Sequence, residues 1–178
     1  QLDIIKNYKN NILFFNSNNI LDTNFFKTHK SVKYLYIKYN IILFNINDLM
    51  ILNNSYYVIK DHHIKYLKNI KILILDCENK LTDKSMKSLK KADKIIIKNN
   101  YNITDKGLKY LKNIFHLEIN GCNITDKGLK YISNIKILKL FEESKITDIG
   151  LSYLNNINNL EIEYNNLITD EGLTHISN

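Results

Sequence analysis

Five hydroxyl–carboxylate pairs recur along this chain. They are Leu81-Thr82-Asp83, Ile103-Thr104-Asp105, Ile124-Thr125-Asp126, Ile146-Thr147-Asp148 and Ile168-Thr169-Asp170, at intervals of 22, 21, 22 and 22 residues. Gathered in one place, such carboxylates would form a catalytic or metal-binding set. Their regularity assigns them to another role. With one strand per interval, neighbouring copies lie about 4.8 Å apart, which makes a ladder of caps. Each Thr precedes a short helical stretch, where its hydroxyl accepts a first-turn N–H and contributes about 1 kcal/mol. The Asp after it places negative charge at the positive helix end.

The remaining chemically able residues are sparse. His62-His63 follows Asp61 and suggests a metal, but adjacent side chains at a helix start are expected to point apart, and no cluster completes four ligands. Cys77 and Cys122 have a whole repeat between their units and no neighbouring base, so neither a disulfide nor an activated thiol is expected. No glycine-rich phosphate loop, Ser/His/Asp grouping or zinc signature occurs. The sequence offers no catalytic residue, no metal site and no cofactor site, and the reading is non-enzymatic.

The elements that carry these residues are set by the period. Self-similarity at about 22 residues means a solenoid whose coils cannot bury their apolar faces alone. Repeats run 9–30, 31–47 (shortened), 48–69, 70–91, 92–113, 114–134, 135–156 and 157–178, all in one domain spanning 1–178. Gln1–Tyr8 reads as the last helix of an earlier turn, or as a cap. In 157–178 the phase is Ile157, Leu160, Ile162, Asn165, Ile168, Leu173 and Ile176. Its first part alternates with period two and predicts a half-buried strand; its Leu-x-x-Leu part predicts one or two helical turns on the opposite side. Ile59-Lys60-Asp61 is a decayed copy of Leu81-Thr82-Asp83, and the strand of 48–69, around Ile51-Leu52-Asn53, is weak.

Leu117, Ile119, Cys122, Ile124-Thr125-Asp126 and Gly128-Leu129 resemble leucine-rich repeats, and specifically the cysteine-containing subtype of F-box proteins. The resemblance covers nearly the whole chain, strongly over 70–178. It implies an α/β solenoid curved as a right-handed superhelix, with a parallel sheet on the concave face and short helices on the convex face. It also implies protein recognition, as in the substrate-recognition arm of a ubiquitin-ligase-like assembly, although no F-box segment is present. The ninth repeat position, held by Asn40, Glu78, Asn100, Cys122, Glu143 and Asn165, should satisfy open backbone where strand becomes loop. A carboxylate buried there is costly unless paired. Glu78 and Glu143 are therefore expected to turn outward, or their loops to bulge.

Composition sets the remaining bounds. All 25 basic side chains among the 178 residues are Lys; Arg, Pro and Trp are absent, and the net charge is +7. This is the amino-acid usage of A/T-rich codons. With no apolar run of 18 residues, no signal segment and two cysteines, the expectation is a protein of the cytoplasm or a host-cell interior, or of a virion, with no membrane span. Asn-x-Ser/Thr at Asn53, Asn102 and Asn123 is not read as glycosylation.

Specificity belongs to the side chains that alternate with the buried strand positions and face the concave side. Phe15, Tyr34, Tyr36, Tyr39, Ile72, Ile74, Ile96 and Phe141 are the favoured anchors for a protein partner. Leu13 aligns with Tyr36 in this reading, and Phe15 with Lys38. Eight strands give about 35 Å of inner surface, enough for a standard contact. A second reading is a structural or assembly component, for example of a giant-virus particle, that self-associates through solenoid ends. The weakest is phosphate-backbone binding by Lys84, Lys87, Lys106, Lys109, Lys127, Lys130 and their neighbours on the helical side. Their recurrence at repeat phase is better explained as solvated surface, and nucleic acid is not the expected partner.

Overall fold

A computed structural model describes residues 5–7, 12–15, 27, 34–38, 59–76, 79–120, 123–142 and 144–176. From residue 70 onward each coil is a short strand, a turn, and a helix of one or two turns. The strands are β1 (Ile5–Asn7), β2 (Ile12–Phe15), β3 (Tyr34–Lys38), β4 (Ile59–Lys60), β5 (Ile72–Asp76), β6 (Asn79–Lys80), β7 (Lys94–Ile97), β8 (His116–Asn120), β9 (Ile137–Phe141) and β10 (Asn159–Ile162). The helices are α1 (Asp61–Ile64), α2 (Asp83–Ser88), α3 (Asp105–Leu108), α4 (Asp126–Tyr131), α5 (Asp148–Leu151) and α6 (Asp170–Leu173).

Eight strands form one sheet in the order β1-β2-β3-β5-β7-β8-β9-β10. Every pair from β2 onward is parallel, as one strand per coil requires. The core lies between this sheet and the helices. Leu73, Leu75, Ile95, Ile97, Leu117, Ile119, Leu138 and Leu140 enter it from alternate strand positions, and Met86, Leu89, Leu108, Leu111, Leu129, Ile132, Leu151 and Leu154 from the helical side. Each fully buried aliphatic contributes roughly 2 kcal/mol. Most of that burial is against adjoining coils, so the stack is cooperative along one dimension. In 157–176 the same phases are half-buried or exposed, with Leu173 48% accessible; among the described residues they pack against the preceding coil alone.

Three expectations need correction. β3 pairs directly with β5, Tyr34 opposite Ile72 and Lys38 opposite Asp76. Units 31–47 and 48–69 therefore supply one rung of the main sheet between them. The strand expected around Ile51-Leu52-Asn53 lies outside the described residues. Ile5–Asn7 is a strand antiparallel to β2, which fits a cap and not a preceding helix. Finally, Phe14 pairs with Tyr36, and Phe15 with Ile37. Phe15 thus stands on the register line of the buried Leu75 and Ile97, one residue away from its expected alignment with Lys38. A slip of one residue exchanges the two faces of a strand.

Candidate functional site: the concave sheet face

One edge of the solenoid is given over to holding coils together. Thr82, Thr104, Thr125, Thr147 and Thr169 are the helix N-caps, each hydroxyl accepting the amide two residues on. The aspartates do more than face a helix dipole. Asp105 accepts the Thr125 N–H at 2.8 Å and the Thr125 hydroxyl at 2.7 Å; Asp126 does the same for Thr147 at 2.8 and 2.7 Å. Asp83 and Asp148 bind Thr104 and Thr169 in the same way. Asp61 in the decayed copy holds Thr82, and also the Ser85 hydroxyl at 2.6 Å. These carboxylates are occupied acceptors. Burial alone would raise the Asp61 carboxyl, but the Ser85 and Thr82 hydrogen bonds carry it below its ordinary value; Asp148 is lowered chiefly by the Thr169 amide.

Glycine follows from this geometry. A Cβ at Gly107 would lie 2.6 Å from Oδ1 of Asp83, and Gly128, Gly150 and Gly172 meet the carboxylate of the preceding coil in the same way. The strand-exit turns are stitched by a second set. Asn100 donates to the Leu81 carbonyl at 2.9 Å and to Asn79 Oδ1 at 2.6 Å. Asn165 donates to the Ser144 and Ile146 carbonyls at 3.2 and 2.9 Å. Glu78 and Glu143, like Cys77, Cys122 and Asn40, lie outside the described residues. Beside them Asn79 and Ser144 are 3% and 8% exposed and enter these networks. Sequence reading missed both, one position past the expected phase.

The two histidines are structural as well. His63 is 1% exposed, and its Nδ1 accepts the Lys60 amide at 3.0 Å. Burial, then the nearby His62 and Lys60, push its pKa down to about 3. The rings do not diverge as expected, because burying His63 beneath its helix brings its centroid within 3.9 Å of that of His62.

The concave face is the part of the repeat that changes from coil to coil. Its central line runs Tyr36–Ile74–Ile96–Glu118–Lys139–Glu161. The line before it runs Tyr34–Ile72–Lys94–His116–Ile137–Asn159. Ile72, Ile74 and Ile96 are brought together on adjoining rungs. Ile72 and Ile74 are half-buried and Ile96 is only 9% exposed, so the first two offer most of the area. Tyr34 and Tyr36 stand opposite Ile72 and Ile74 in β3. Tyr39 lies outside the described residues. Phe141 is half-buried three rungs beyond Ile74, opposite Asn120, and does not join the isoleucines.

The rungs from β8 onward carry polar pairs. His116 Nε2 is 2.5 Å from Glu118, and Lys139 is 2.7 Å from Glu161. Burial lowers the His116 pKa against the opposing pull of its Glu118 hydrogen bond. The hydrogen bond to Glu161 raises that of Lys139. Beyond the strand ends, Tyr101, Tyr164 and Leu167 are 56%, 77% and 51% exposed, and the Tyr101 hydroxyl donates to Glu142 at 3.4 Å. These rim residues fall outside strand alternation, so the period-two pattern did not mark them. Glu142 and Tyr164 hold φ of 65° and 52°, in the left-handed region that glycine prefers.

A family model and one solved structure bear on the architecture. A family model described as Leucine Rich repeat matches residues 113–133 and 153–177. No curated protein matches. Among solved structures, an internalin (InlF) from Listeria monocytogenes is similar over 90% of this chain and 43% of its own, at 18% identity and a TM-score of 0.61. Internalin C2 of the same organism is similar over 67% of this chain and 54% of its own, with 26% identity and a TM-score of 0.48. A complex described as containing Latrophilin 3, Unc5D and the leucine-rich repeats of FLRT2 shares 13% identity over 94% of this chain and 79% of the matched chain, with a TM-score of 0.42. The chain thus spans roughly half the length of the internalins it resembles. Its fold is the leucine-rich-repeat solenoid.

Proposed function

We propose that this leucine-rich-repeat solenoid is a protein-interaction module that grips its partner on the concave face and performs no catalysis itself. The observation that supports this most is the apolar step of Ile72 and Ile74, continued by Ile96 and standing opposite Tyr34 and Tyr36, on a sheet face lined elsewhere by charge. Apolar anchors beside a polar surround are what a recognition surface needs. The self-paired His116–Glu118 and Lys139–Glu161 would then select against ill-matched partners more than add affinity. The role of a recognition arm in a larger assembly, including one of the ubiquitin-ligase kind, is a finer form of the same reading.

A binding experiment tests it. Affinity capture with the double variant Tyr36→Ala, Ile74→Asp should lose the partners that the parent chain retains. Unchanged capture of every partner sinks the concave assignment.

A further inference from the structure

The helical side carries a charge pattern that the concave reading does not use. Lys65, Lys87, Lys109 and Lys130 occupy one phase of four successive coils, and all are exposed. Three residues earlier in their coils, Lys84, Lys106 and Lys127 form a second exposed line. Among the described residues none of these seven forms an ion pair. The lines then stop. Ile149 and Ser152, then Glu171 and Thr174, stand at the same two phases and are equally exposed. Solvating these positions therefore does not require lysine, and a solvated surface alone does not account for where the lysines end.

They end at a groove. Lys127, Lys130, Tyr131, Ile149 and Tyr153 line a solvent-open space of about 550 Å³ between α4 and α5. Tyr131 is 43% exposed there, and Ile149 62%. Lys130 Nζ lies 6.0 Å from the ring centroid of Tyr153 on the next coil, while on earlier coils Lys65 and Lys109 lie over their own sequence neighbours Tyr66 (4.9 Å) and Tyr110 (5.1 Å). A track of unpaired cations running into an aromatic groove suits a strand that alternates phosphates with exposed ring faces. A lipid surface, or an acidic polypeptide without aromatic side chains, would use the cations and leave the groove without a planar ring.

We propose that this helical face binds single-stranded nucleic acid, with phosphates along Lys65–Lys87–Lys109–Lys130 and a base stacked against Tyr131 in the groove. Duplex binds less well because its bases are not free to stack. Recognition is indifferent to base sequence, since phosphate contacts and stacking use features that every nucleotide shares.

Fluorescence anisotropy of the intact chain with a labelled oligothymidylate of roughly fifteen nucleotides tests this. Affinity should fall steeply between about 50 and 200 mM salt. The triple variant Lys87→Ser, Lys109→Ser, Lys130→Ser should bind at least about tenfold more weakly, with a log–log salt slope smaller by about two. Tyr131→Ala should weaken binding roughly tenfold with the slope unchanged, because stacking releases no counterions. Thermal melting of each variant shows that these exposed substitutions leave the fold intact. Salt-independent affinity overturns the proposal. So does Tyr131→Ala binding like the parent, or equal affinity for a length-matched duplex, polyglutamate or phosphatidylserine vesicles.

Discussion

Two surfaces of this solenoid share a period and differ in everything else. At the helix starts five of the six described coils repeat the same Thr, all six the same Asp and four the same Gly, because those atoms meet their counterparts in the next coil. On the concave face the same period delivers Ile74, Ile96, Glu118, Lys139 and Glu161 to one line. Those side chains stand on the open face of the sheet, Ile96 nearly covered and the others half-buried, and no single residue type is required of them. Where atoms must interlock the sequence is monotonous, and where they meet water it is free to encode a partner.

The sharpest way to break this contrast is to remove one rung of the interlock. Asp126→Ala leaves the Thr147 amide and hydroxyl without their acceptor, and should cost about 3 kcal/mol in urea unfolding. A loss under about 0.5 kcal/mol would mean that the ladder is ornament. Gly128→Val should cost about 2–3 kcal/mol, since its Cβ meets the Asp105 carboxylate and sits 3.1 Å from Leu108 Cδ1. Equal stability of parent and variant would show that the coils have room to spare.

Acid should act on the interlocked side. His63, with its pKa lowered to about 3, takes up no proton in the folded chain until well below the unfolded value near 6.5. The unfolded state binds the extra proton between those values, so stability present above about pH 6.5 declines as pH falls. Between pH 7 and 5 the expected loss is up to about 2 kcal/mol, with His116 acting in the same direction. His63→Gln should flatten the profile. A parent chain equally stable at both pH values would contradict a buried neutral His63.

On the concave side the expectation reverses. Ile74→Asp should change folding stability by about 1 kcal/mol or less, yet weaken partner binding by roughly tenfold or more. A variant that unfolds instead would move Ile74 from recognition to scaffold. The smallest effect belongs to the rim. Tyr164→Gly relieves a left-handed φ of 52° and should add about 0.5–1 kcal/mol of stability; a measured decrease would show that the Tyr164 ring contributes packing.

The interlock was legible because period and residue type coincide. Thr before a helical turn announced a cap, and five copies announced a stack. That Asp reaches across to the next Thr was not legible, since a local helix dipole explains an acidic residue there equally well. Asn100 and Asn165 fell on their expected phase. Asn79 and Ser144 did not, since each stands one residue past that phase. The apolar step at Ile72, Ile74 and Ile96 followed from alternation. Phe15 escaped the same reasoning, because its repeat is degenerate and period-two patterns slip by one residue without a strong apolar set to pin them.

The sequence by itself determined the period, the strand–turn–helix order within a coil, and the residues each coil turns inward, since these depend on contacts only a few residues apart. Only the tertiary structure decided which coils touch. It joined Tyr34–Lys38 to Ile72–Asp76 past the weak unit between them, tied each aspartate to a threonine a whole coil away, and laid the lysines beside an aromatic groove. Such pairings depend on how whole coils stack, and no local pattern of residues records that.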